Sequence, residues 1–160
     1  VTIHLITTGG SIDKTYSPLT SSFEVGEPQA PVLLRDAGLS EEIVHDEVCR
    51  RDSLDLTPED RAAVVAAVRR SPHRKVLITH GTDTVAETAL ALNGLPGKVI
   101  VLTGAMKPAA FRDSDAPFNL GFAVAALETL PPGVYIAFHG RIFDPARVAK
   151  APTKDRFESL

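Results

Sequence analysis

Four short apolar runs in this chain end the same way, in a threonine or histidine followed by glycine. They are Thr2–Thr8, Lys75–His80, Lys98–Thr103 and Val134–His139, followed by Gly9, Gly81, Gly104 and Gly140. Continuous apolar runs of this length read as strands buried on both faces, the pattern of a parallel sheet. Parallel neighbours need helical crossovers, and helix-like segments do separate the runs, so the fold class is α/β with a mostly parallel sheet. In such a sheet the four endings share one edge, and ligands of open α/β folds bind beyond the carboxyl ends of the strands. The shared ending therefore predicts both an architecture and the edge that carries the site.

The intervening segments support this. A fifth run, Ile43–Arg50, alternates apolar and polar residues, as an edge or half-exposed strand does. Thr57-Pro58-Glu59-Asp60 supplies an N-cap, a proline at the first helical position and acids in the first turn. That helix should run to Arg69-Arg70. Thr84 and Glu87 have capping-box spacing and open a helix that stops near Asn93-Gly94. Asp115-Ala116-Pro117 opens another, with Phe118, Phe122 and Leu127 available for the core, and a short one is expected from Ala30 to Ala37. From Gly9 to about Gly26 a Ser/Thr/Gly/Pro-rich loop remains, which reads as a functional lid rather than a floppy connection.

Composition excludes several functions. At 160 residues the chain is one domain able to bury its own core. The net charge of −3, with basic residues only in short pairs, gives no polyanion-binding surface. Cys49 is the only cysteine, so one chain holds no disulfide and no cysteine-based zinc site, and the residue reads as a small buried hydrophobe. No run suffices to span a membrane. No signal peptide is visible, and the missing initiator Met means processing or trimming; a cytoplasmic home is expected.

Candidate chemistry gathers at the strand endings. Thr8 could act as a nucleophile if a neighbour takes its proton, with Gly9-Gly10 N–H groups holding an oxyanion. A turn cradling an anion fits the same spacing, although no complete GxGxxG and no Walker A lysine is present. Both readings stay open on spacing. Asp83 suits a helix N-cap, but if Thr84 and Glu87 fill that role, Thr82 and Asp83 can face a ligand. His80, ending a buried strand, reads as a core histidine. Lys150 reads first as a surface lysine; desolvated beside Thr82 and Asp83 it could serve as a base.

Taken together, Ile6-Thr7-Thr8-Gly9-Gly10-Ser11-Ile12, His80-Gly81-Thr82-Asp83-Thr84 and Thr103-Gly104-Ala105-Met106 closely resemble the signature segments of bacterial-type L-asparaginases and asparaginase-glutaminases. Asp52–Asp60 and Asp113–Leu120 resemble two further segments, and all occur in family order along the whole chain. The resemblance implies a flavodoxin-like domain that hydrolyses a side-chain amide, with no metal or organic cofactor. It implies that Thr8 is the nucleophile, that Tyr16 contacts and activates it, and that Thr82, Asp83 and Lys150 form a second catalytic set. It further implies that Ser53 holds the substrate α-carboxylate, Asp83 the α-ammonium and the Ala105 main chain the side-chain amide, with Gly9, Asp52 and Gly81 beside them. Family chains are about twice as long and carry a second, smaller domain whose acidic residue supports the ammonium and the tyrosine. This chain ends about where the first domain should, and is expected to be a short form rather than a fragment. Leu54 stands where many members carry a polar residue for the ammonium. The expected partners are a small-molecule substrate, L-asparagine or, as the alternative, L-glutamine, and a second copy of the chain, as homodimer or dimer of dimers; nucleic acid and membrane are not expected.

Overall fold

The computed structural model describes residues 1–152 and 155–160. Its main sheet has six strands: β1 (Thr2–Gly9), β4 (Glu42–Arg51), β5 (Lys75–Thr79), β6 (Val99–Thr103), β7 (Gly133–Phe138) and β8 (Arg141–Phe143). Between β1 and β4 lie a hairpin of β2 (Lys14–Ser17) and β3 (Ser22–Val25) and helix α1 (Ala30–Asp36). Helices α2 (Pro58–Arg70), α3 (Val85–Ala91) and α4 (Ala116–Thr129) follow β4, β5 and β6. A ribbon of β9 (Val148–Ala151) and β10 (Arg156–Ser159) closes the chain.

The sheet order is β4-β1-β5-β6-β7-β8, parallel throughout except for β8. Its five parallel strands, counted in chain order, run 2-1-3-4-5, the flavodoxin-like doubly wound order. Side-chain alternation divides the core. Ile6, Val76, Ile78, Ile100 and Leu102 face α2 and α3 through Val64, Val68, Val85 and Ala89. Ile3, Leu5, Leu77, Val99 and Val101 face α1 and α4 through Ala30, Leu34, Leu120, Ala123 and Leu127. All four Thr/His-Gly endings do fall on one edge, and β4 does form the sheet's outer edge. Among the described residues no helix is long and apolar enough to cross a membrane.

Three expectations are corrected. The Gly9–Gly26 segment is no structureless loop: a short 3₁₀ turn leads into the β2–β3 hairpin, whose side chains are mostly exposed. Thr84 does not cap its helix; its hydroxyl donates to the Ser53 carbonyl at 2.9 Å, and Glu87 pairs with Arg61 at 3.1 Å. A tertiary acceptor has displaced the local one. Phe118 is 62% exposed, because the buried stripe of α4 runs through Ala116, Asn119, Leu120, Ala123 and Leu127 and leaves it outside. The cap at Thr57 is present as a reciprocal box with Asp60.

Asp13 fastens the base of the hairpin. Its carbonyl accepts from Gly26 N–H at 2.8 Å and its Oδ1 from Gln29 N–H at 2.9 Å, so one residue ties the outgoing stalk to the returning one. The carboxyl is buried, and burial pushes its pKa up to about 7. The Gln29 N–H pulls the other way, Glu47 adds to the rise and Arg50 opposes it. A carboxyl pKa raised by closure stabilises the closed base fully below the free-chain value of about 4, and that stabilisation drains away as pH climbs to about 7. Hydrogen exchange at Gly26 and Gln29, corrected for intrinsic rates, should therefore lose protection by up to about tenfold per pH unit between pH 5 and 7. Asp13→Asn should flatten that profile; a wild-type profile already flat would disprove the linkage.

Candidate active site

The switch point of the sheet lies between β1 and β5, where the chain leaves β1 for one side and later continues on the other. Three segments meet there. The ladder between β1 and β4 breaks register after Thr7↔Glu47 and resumes at Gly9↔Arg51. Beyond the break the Gly10 N–H donates to the Arg51 carbonyl at 2.8 Å. Gly10, at φ +88°, then presses on the segment after β5: a Cβ at Gly10 would lie 2.5 Å from Gly81 N. Gly81 in turn lies against Ser53, where a Cβ would come within 2.5 Å of the serine Cβ. The glycines thus let main chain approach main chain.

Thr8 is wholly buried at the end of β1, and its hydroxyl donates to the Thr79 carbonyl at 2.9 Å. Its own carbonyl accepts a weak bond from the Cys49 thiol, which the break in the ladder brings within 3.4 Å. Burial raises the Cys49 pKa to about 11, so the thiol stays protonated and is no nucleophile at neutral pH. Ser53, almost fully buried in a 3₁₀ turn after β4, accepts the Asp83 N–H on Oγ at 3.1 Å. Asp52 caps that turn through Leu54 N–H and pairs with Lys14 at 2.7 Å. Partial burial works against its ionisation, but these two partners prevail and hold its carboxyl below the usual range. Asp52 thus anchors the Ser53 turn to the hairpin.

Lys150 reaches the site from β9. Its ammonium donates to Thr82 Oγ1 at 2.8 Å and to Asp83 Oδ1 at 2.9 Å. The ribbon is held in place by Phe157, the β10 residue opposite Lys150, whose buried ring packs 4.7 Å from that of Phe138. Thr82 is buried, whereas Lys150 and Asp83 are about one third exposed, so the group combines a desolvated hydroxyl with charges reachable from solvent.

Thr8, Ser53, Gly81, Thr82, Asp83 and Lys150 are therefore brought together around the switch point. Tyr16 is not joined to Thr8: no hydrogen bond links them among the described residues, and the Tyr16 ring is 56% exposed on the hairpin, edge-on to Phe23. Phe23 stands edge-on to Phe111 in turn. His80 is the core histidine the sequence suggested. Its ring bonds Thr88 Oγ1 at 2.7 Å and the Gly81 carbonyl at 2.8 Å. Burial drives its pKa down to about 4, the Gly81 carbonyl pulling partly back, so it is neutral near pH 7. Asp115, Asn119 and His139 form a polar cluster on the same edge that sequence reasoning did not single out. The available signal was an Asp and an Asn one helical turn apart within the Asp113–Leu120 segment.

Fold and site together define a doubly wound α/β domain with threonine hydroxyls, a lysine and a carboxylate at its switch point. The chain belongs to the family described as Asparaginase, N-terminal, whose pattern matches residues 2–159. It is similar to the L-asparaginase of Thermococcus kodakarensis, 36% identical over 127 residues, covering 74% of this chain and 39% of that protein. A probable L-asparaginase of Deinococcus radiodurans is 34% identical over 159 residues, covering 93% and 47%. The solved structure of the thermostable Thermococcus kodakarensis enzyme superposes with a TM-score of 0.87 at 30% identity, covering all of this chain and 51% of that one. The chain thus spans about half the length of the relatives it matches.

Proposed function

We propose that this domain hydrolyses the side-chain amide of L-asparagine to L-aspartate and ammonia. The observation that carries the reading is the Lys150 ammonium bonded at once to the Thr82 hydroxyl and the Asp83 carboxylate, at the switch point of an asparaginase-family domain. In this reading Thr8 Oγ attacks the amide carbon and main-chain N–H groups at the site hold the oxyanion; the Gly10 N–H, expected from the sequence to be one of them, is instead bonded to the Arg51 carbonyl. The carbon–nitrogen bond breaks, and the leaving nitrogen takes the proton that the Thr8 hydroxyl gives up and departs as ammonia. Water, deprotonated beside Thr82 and Lys150, then cleaves the acyl-enzyme and frees Thr8. Ser53 and Asp83 take the α-carboxylate and α-ammonium. The reading includes a cytoplasmic home and a homodimer in which a second copy covers exposed apolar side chains such as Phe118.

Ammonia release from millimolar L-asparagine tests it. Thr8→Ala should lower the rate by about three orders of magnitude or more, since a lost nucleophile is not replaced by its neighbours. A Thr8→Ala variant as fast as wild type would remove the central assignment. Running glutamine and the D-amino acids alongside separates an asparaginase from a glutaminase or another ω-amidase on the same site. One observation favours a second reading, a non-catalytic amino-acid-binding domain: the Thr8 hydroxyl is committed to the Thr79 carbonyl and Tyr16 does not engage it. Calorimetric binding of L-aspartate without any ammonia release would support that reading instead.

A further inference from the structure

Asp115 and Asn119 lie one turn apart where α4 begins, and between them they hold the ends of two neighbouring strands. Asp115 Oδ1 accepts the Lys107 N–H at 3.0 Å. Its Oδ2 accepts the Met106 N–H at 3.0 Å, Asn119 Nδ2 at 3.1 Å and His139 Nε2 at 2.6 Å. Asn119 is wholly buried; its Nδ2 also donates to the Gly104 carbonyl at 3.0 Å, and its Oδ1 accepts the His139 N–H at 3.0 Å. The Ser114 hydroxyl adds a bond to the Lys107 carbonyl at 2.9 Å.

These bonds follow a pattern. The segment beyond β6 is gripped at Gly104 on one side and at Met106 and Lys107 on the other. Ala105 sits between the grips, 1% exposed, and among the described residues its own N–H and carbonyl enter no hydrogen bond. His139, at φ +50°, is a histidine in the left-handed region, where side chains are rarely found. Its ring and its N–H are fixed by the same two residues, which offsets that strain. Main chain clamped on both sides, with free groups between, is what a preorganised hydrogen-bonding surface requires.

We infer that Asp115 and Asn119 are positioning residues that hold the Ala105 main chain where it receives the substrate's side-chain amide. The inference rests on the amide-hydrolysis reading above and on the role that the family resemblance implies for the Ala105 main chain. Neither residue touches the reacting atoms; both act through the segment between Gly104 and Lys107. Interactions at the amide are made where bonds change, whereas Ser53 and Asp83 hold the invariant α-groups. Loosening Ala105 should therefore lower turnover and leave ground-state binding nearly intact.

Asp115→Asn is the main variant, because it keeps the shape and can keep the contacts at the Oδ2 position while turning an NH₂ group toward the Lys107 N–H. Asp115→Ala removes all four. Amide exchange comes first and needs no substrate. Lys107 should exchange at least about tenfold faster in Asp115→Asn, and Met106 and Lys107 both faster still in Asp115→Ala. Unchanged exchange in a folded Asp115→Ala would overturn the clamp. Kinetics come second. The kcat for L-asparagine should drop about 10- to 100-fold in Asp115→Asn, the cost of a misplacement near 1 Å, while KM and the inhibition constant of L-aspartate move less than about threefold. A loss confined to KM, or no loss, would overturn the positioning role alone. A wild-type protein that releases no ammonia from any amide would overturn the earlier reading, and the substrate half of this inference with it; exchange would still decide the clamp.

Discussion

Replacing Lys150 by methionine should lower ammonia release by about 10²- to 10⁴-fold, the range that a lost acid–base group costs, and leave the fold almost untouched. Methionine keeps most of the apolar stem but has neither the charge nor the proton that Lys150 offers to Thr82 and Asp83. The stability cost should be small, because an ion pair about one third open to water is worth about 0–1 kcal/mol. Phe157 and the β9–β10 ladder, not the ammonium, seat the ribbon. Lys150→Arg should not rescue activity, since a guanidinium keeps the charge but does not give up its proton near neutral pH. Steady-state rates and thermal melting on both variants decide the matter. A Lys150→Met enzyme with near-normal turnover would end the case for a lysine-assisted step.

The second large effect lies in the main chain. Gly10→Ala should destabilise the protein by about 2–6 kcal/mol, adding about 1–3 for a backbone conformation (φ +88°, ψ −176°) that essentially only glycine adopts to overpacking of about 1–3. The new Cβ would lie 2.5 Å from Gly81 N and 2.6 Å from Gly81 Cα, and neither is a flexible side-chain tip that could swing aside. The segments after β1 and β5 would have to part, and with them Thr8 and Thr82, so activity should fall by about 100-fold as well. Gly94→Ala is the matched control. Gly94 has φ +87°, like Gly10, but a Cβ there meets nothing within 4 Å. It should show only the cost of a side chain at positive φ, without the clash, and keep full activity. Equal denaturant midpoints for the two variants would mean that the contact at the switch point is soft.

The sheet was legible because every β5 and β6 residue is buried, leaving no polar face to confuse the pattern. The β2–β3 hairpin was not, because it packs little against the core and its residues carry no alternation to read. Phe118 misled for the opposite reason: α4 is apolar almost all round, so its sequence does not tell which face turns inward. The shared strand endings pointed to the edge that carries the candidate site but, Thr8 apart, not to its side chains. The Thr103 hydroxyl bonds the Ala137 carbonyl, His80 turns into the core and His139 binds Asp115. The groups around the switch point come mostly one or two residues later, at Thr82 and Asp83, or from the turn after β4, at Ser53. The resemblance alone singled out Ser53, whereas Thr82 and Asp83 were also reached from a capping-box spacing that does not form a cap in the structure. Tyr16 was named by resemblance alone, and here its ring packs against Phe23.

The contact between Lys150 and Thr82 spans 68 residues of sequence, and that between Thr8 and Thr79 spans 71. Neither can form locally. Each waits until the parallel strands have paired, and pairing over such distances is the slow part of folding. The candidate site of this domain is therefore assembled last. Hairpins and helices that form early hold a threonine or a lysine but not the pair, so an unfinished chain carries none of the candidate site's geometry.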